Sequence, residues 1–145
     1  MLTVAGILWL SREAHGRVQP MAMLALPFAY HLALQWGFLN YTLAMALMLN
    51  AFALWLMLGR LGRVRLRAGL FVLIAWVIWF AHLFGWLVLG VLVFSAETMG
   101  LRARGRTWIA ALFRAGLACL PLAPPAVLLL GWRPDGGSAG SDWAA

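Results

Sequence analysis

The chain has 145 residues, a mean hydropathy of +0.91 and 10% charged residues, against roughly a quarter charged in a soluble domain. That balance excludes an ordinary water-soluble domain and points to an all-α, polytopic transmembrane helical bundle. The net charge of +7 comes from arginine alone; the arginines fall between apolar runs, where the positive-inside rule accounts for them and no nucleic acid is expected.

The first ten residues, MLTVAGILWL, are apolar but reach only about 15 Å as helix, half a bilayer. They lack a basic leader region and a small-residue cleavage site, and read as the end of a span whose beginning lies upstream, in a piece of a larger protein. The basic stretch SREAHGRVQ follows, with Arg12 and Arg17 against Glu13.

Three further apolar runs, 37–58, 68–96 and 107–132, are separated by two more basic stretches. GRLGRVRLR carries Arg60, Arg63, Arg65 and Arg67; ETMGLRARGR carries Arg102, Arg104 and Arg106 against Glu97. If all three basic stretches face the cytoplasm, an even number of crossings must join each consecutive pair. One straight helix over 68–96 would be about 44 Å long, well beyond a hydrocarbon core of roughly 30 Å, and would end on the wrong side. A hairpin satisfies both conditions: the chain rises from Arg67, turns around His82 to Gly85 and descends to Glu97. Each arm then has about 14 residues, roughly 21 Å, and needs cover from other helices.

The same logic makes 20–34 a rising arm, QWGFLN a turn, and the segment from Tyr41 to Arg60 a descending arm. Polar groups collect at that turn because reversing backbone must be satisfied there: Gly37 can supply the turn conformation, Gln35 and Asn40 can bond freed backbone groups, and Trp36 and Tyr41 suit the interface. A last helix over 107–132 is interrupted by Pro121, Pro124 and Pro125, with neighbouring helices expected to cover the carbonyls that the prolines free. Residues 1–132 form the membrane module and 133–145, rich in Gly and Ser, a flexible tail.

His31 and His82 are the sharpest candidates for chemistry. Each sits near an expected outer turn, where a polar residue is a functional-site hypothesis; each is equally a turn-capping histidine with one hydrogen bond. A haem-ligand role has no further support, since no metal-ligand spacing occurs and no cofactor is expected. Asn50, mid-span, fits an interhelical hydrogen bond. Arg114 fits snorkelling, an ion pair with Glu97, or contact with a lipid phosphate. Glu97 has no second carboxylate for acid–base work. Trp76 and Trp79 form a lipid-facing or packing stripe. Ala81 and Gly85, four apart, are a weak signal for close helix approach. Walker and Ser-His-Asp motifs are missing, and Cys119 reads as a small buried hydrophobe.

The stretch QWGFLNYTLAMALMLNAFALWLML, a basic loop, then VIWFAHLFGWLVLGVLVFSAE resembles a segment of large bacterial polytopic membrane proteins of the GT-C glycosyltransferase type. The resemblance covers roughly 21–132 and rests on WGFLN (36–40) and FAHLFG (80–85). It implies paired short helices with polar turns near the outer face of the bacterial cytoplasmic membrane, where members use polyprenyl-phosphate-linked sugars. His31, Gln35, Asn40, His82 and Arg114 are the substrate-binding residues expected on this reading. GT-C enzymes carry a catalytic carboxylate in the first outer loop, and this chain has no acid on its expected outer side before the tail. The resemblance therefore implies a lipid-substrate scaffold inactive alone, with membrane lipids and a larger membrane protein as partners. A small non-enzymatic membrane protein packing against a larger partner, and a transporter fragment built on broken helices, are the alternatives.

Overall fold

A computed structural model describes residues 1–25, 27 and 38–131, and every regular element among them is helical. In chain order these are α1 (Leu2–His15), α2 (Pro20–Leu24), α3 (Leu39–Arg60), α4 (Val64–Ala81), α5 (Leu83–Ala103), α6 (Trp108–Ala118), a 3-10 turn (Leu120–Leu122) and α7 (Ala126–Gly131). Three of them, α3, α4 and α5, are long and apolar enough to cross a membrane.

The apolar run 68–96 is broken at one residue. His82 is extended (φ −170°, ψ 129°), and it both ends α4 and caps α5. The reversal shows in the pairing across it: Arg67 and Glu97, equally far from His82 in sequence, meet at 2.8 Å. Helix α3 packs on both arms. Its first turn lies at the reversal, where Tyr41 meets the His82 ring edge-on at 5.4 Å, and its last turns lie at the other end, where Trp55 meets Phe71 at 4.8 Å. Thus α3 and α5 run one way and α4 the other. Their shared core is Met48, Trp55, Phe71, Ile78, Leu89 and Val93.

The arms exceed the 14 residues expected of them. α4 has 18 and α5 has 21, because both continue into the basic stretches. Arginine is a good helix former, so charge alone does not stop a helix. Glycine does: α1, α3 and α5 all end at glycines with positive φ, Gly16 (74°), Gly62 (70°) and Gly105 (81°). At the last two the following N–H closes a Schellman bond, Arg63 N to Leu58 O and Arg106 N to Leu101 O.

Helix α1 runs parallel to α3 along its second half. Asn50 Nδ2 donates to Leu2 O at 3.0 Å and Arg60 Nη2 pairs with Glu13 Oε2 at 2.9 Å, so the interhelical role expected of Asn50 is met. All three basic stretches therefore lie at one end of the bundle, as the charge pattern requires. α6 packs on α5 and leads away from this end. Beyond it the chain passes through the 3-10 turn to Pro124 and Pro125. Ala126 N bonds to Ala123 O, so Leu122 O accepts instead from Trp86 Nε1 at 2.8 Å. A neighbouring helix thus covers Leu122 O, although the carbonyls that Pro121, Pro124 and Pro125 free are those four residues earlier, and of these Leu120 O accepts from Ala123 N.

The first expected hairpin is only partly described. Helix α2 is five residues long, and most of the rising arm, the QWG part of the turn and residues 132–145 lie outside the described residues. The descending arm starts at Leu39, so Asn40 belongs to the first turn of a helix and not to the turn in which the sequence placed it.

Candidate functional site

Of the five residues expected to bind substrate, three lie among the described residues. His31 and Gln35 lie outside the described residues. His82 and Asn40 share the reversal end of the bundle, and Arg114 projects from α6 with an exposed side chain. His82 is exposed, and its Nδ1 accepts from Phe84 N at 3.1 Å. That bond satisfies one of the open N–H groups at the start of α5, the turn-capping use of histidine weighed above. A donor bonded at Nδ1 leaves the other ring nitrogen, Nε2, as the one that carries hydrogen in the neutral form. Behind the ring, Gly85 rests against α3. A Cβ there would come within 2.9 Å of the Ala44 Cβ and 3.1 Å of its carbonyl oxygen, which no side chain fits. The reversal is therefore closed by direct backbone approach of Gly85 to α3, and Ala81, on the far side of the break at His82, does not share a helix with it.

At the basic end, sequence reasoning missed a constellation. Arg67 is buried, and its guanidinium carbon sits 4.0 Å from the Trp55 ring centroid. Glu97 Oε1 accepts from both Arg67 Nη1 (2.8 Å) and Trp55 Nε1 (2.9 Å). Three helices are thus tied through one carboxylate oxygen. Arg67 falls in the first turn of α4, where the helix dipole disfavours a cation; the carboxylate and the aromatic face supply the compensation. The ion pair of Glu97 with Arg114 that the sequence offered is not formed, because Arg67 takes the carboxylate. The signal that could have found the true partner was present. Once a reversal is placed at His82, residues equally spaced about it face each other, and these two have opposite charge.

The cluster floors a cleft of about 320 Å³ whose rim includes Gly59, Val64, Gly100 and Arg104. Next to it, across Leu56 and Ala96, a wider trough of about 890 Å³ opens between α1, α2 and α3. Its floor is apolar, with Ile7, Leu10 and Phe52; Ser11, Glu13 and Gln19 edge it at the basic end. Leu56 and Ala96 line both cavities. A second ion pair stands beside the trough, where Glu13 holds Arg60 through both its Nε and Nη2 and also accepts from Trp9 Nε1. Among the described residues the two acids, Glu13 and Glu97, both lie at this basic end, and no cluster of three metal-ligating side chains occurs. The aromatic stripe on α4 packs on itself, with Trp76 and Phe80 stacked at 5.8 Å and Trp79 edge-on to both, and Phe80 is exposed.

Compared with protein-family models, with curated proteins and with solved structures, the chain matches none. What geometry supplies is a membrane protein with two chemically distinct ends: one basic, grooved and with both its acids paired, the other a capped reversal carrying an imidazole and an amide.

Proposed function

We propose that this chain is a scaffold module of a GT-C-like membrane glycosyltransferase, multi-pass in a bacterial cytoplasmic membrane with its basic end in the cytoplasm. The observation that carries the reading is the gathering of all three basic stretches at one end and of His82, Asn40 and Tyr41 at the other. Under the positive-inside rule the second end faces outward, where a polyprenyl-phosphate-linked sugar would be met. Imidazole and amide groups suit hydrogen bonding to phosphate and sugar hydroxyls. A catalytic carboxylate would come from a larger partner, since both described acids are held in ion pairs at the far end.

A second reading, an accessory membrane protein with no substrate, is supported by how the polar side chains are spent. Glu13, Asn50, Glu97 and His82 each hold one helix to another or cap one.

Two measurements test these readings. Phe84→Cys and Val64→Cys, each in a Cys119→Ala background, are labelled in intact cells with a membrane-impermeant thiol reagent; labelling at 84 and protection at 64 is expected, and the reverse sinks the orientation. Photo-crosslinking of a polyprenyl-phosphate-linked sugar to the full chain in vesicles then separates the roles. Crosslinking that falls several-fold in Asn40→Ala and His82→Ala supports the scaffold. Crosslinking indifferent to both leaves the accessory protein.

A further inference from the structure

We propose that the basic end holds one phospholipid with an anionic headgroup, its acyl chain in the trough beside α1 and its phosphate in the adjoining arginine cleft. This site is at the opposite end of the bundle from the residues discussed under the proposed function, and it stands whichever of those readings holds.

Three observations carry the inference. First, the two cavities are neighbours. Leu56 and Ala96 line both, so a molecule seated over them reaches an apolar trough on one side and a charged cleft on the other. Second, the chemistry is split as an amphiphile requires. The trough floor is Ile7, Leu10, Phe52 and Leu56, and the cleft carries Arg67 and Arg104.

Third, the charge balance favours an anion. Glu97 is paired with Arg67 and Glu13 with Arg60, so neither carboxylate repels a phosphate with an uncompensated charge. Arg104 lines the cleft, and its guanidinium makes no hydrogen bond or ion pair among the described residues. The guanidinium of Arg102, by contrast, is occupied. It lies 4.4 Å from the Trp108 ring and donates to Arg106 O, which fixes the loop that presents Arg104. Arg67 spends one of its N–H groups on Glu97, and a guanidinium has five. A phosphate between Arg104 and Arg67 would gain charge-assisted hydrogen bonds at the depth where a headgroup sits. The acyl chain would cover apolar surface that the described helices leave open.

The experiment uses the full chain, purified in neutral detergent and stripped of lipid, with bound lipid counted by native mass spectrometry along a titration. The probes are dioleoylphosphatidylglycerol, dioleoylphosphatidylcholine and inorganic phosphate. One saturable phosphatidylglycerol, preferred about tenfold over phosphatidylcholine, is expected. Arg104→Gln should weaken it about tenfold, the scale of one lost charge-assisted contact, whereas Arg63→Gln, on a loop outside both cavities, should change it less than twofold. Ala96→Phe should block the trough and abolish the preference; Ala22→Leu, on α2, tests the trough again if the first variant does not fold. Equal weakening by Arg63→Gln and Arg104→Gln would mean diffuse attraction to a basic surface and would overturn the site. So would equal binding of phosphatidylcholine, or inorganic phosphate that protects the chain against heat as well as phosphatidylglycerol does.

Discussion

The two ends of the bundle are held by different physics. At the basic end, α3, α4 and α5 are tied by side chains: a buried guanidinium, a carboxylate and an indole that share one oxygen. At the reversal, α3 and α5 touch through Gly85 and Ala44 with no side chain between them, and the chain turns on one capping bond from His82. Charges and donors can reach across helices only where water or partners offset their desolvation, and the basic end lies at the level of its loops. Close backbone approach needs no polar group. The comparison teaches that polar fastening and steric fastening are separable here, and that different substitutions should expose each.

The largest effect is expected from Trp55→Ala, which empties a fully buried aromatic site and removes a donor to Glu97. A cost of about 4 kcal/mol, read by reversible unfolding in mixed micelles, would make this end the anchor of the bundle. Next, Glu97→Gln keeps an acceptor for Trp55 but leaves Arg67 buried without its counter-charge. About 3 kcal/mol is expected, and a double-mutant cycle with Arg67→Met should recover much of it, because the uncompensated charge is then gone. Gly85→Leu should cost about 2 kcal/mol by overpacking against Ala44, with the α4–α5 ion pair intact; loss of both together would show that the two ends are coupled. His82→Ala should cost least, about 1 kcal/mol for a lost helix cap. His82→Asn, which can also accept from a backbone N–H, should restore most of it. A larger loss in the alanine variant, not restored by Asn, would mean that the imidazole does more than cap.

Much of this was readable along the chain. The break near His82 followed from arithmetic on helix rise and bilayer thickness, together with the requirement that basic stretches share a side. That a carbonyl near the prolines, Leu122 O, would draw a donor from a neighbouring helix followed from the cost of leaving a polar group bare in an apolar medium. Arm length was misjudged because the arms were ended at the first charges, whereas the helices stop at glycines that can adopt positive φ. The partner of Glu97 was misassigned because Arg114 and Arg67 are both near it in one dimension or another, and only the antiparallel register decides between them.

The sequence by itself determined that this is a helical membrane protein, that its three basic stretches lie at one end, and that its chain must reverse near His82. These are consequences of local quantities: hydropathy, rise per residue, charge, and the conformations open to glycine and proline. Tertiary structure alone decided that one carboxylate ties three helices, that Gly85 lies on α3, and that an apolar trough adjoins an arginine cleft at Leu56 and Ala96. Those depend on the rotation of each helix about its axis, which packing fixes and which uniformly apolar faces, rich in Leu, Val and Ala on every side, leave unmarked in the sequence.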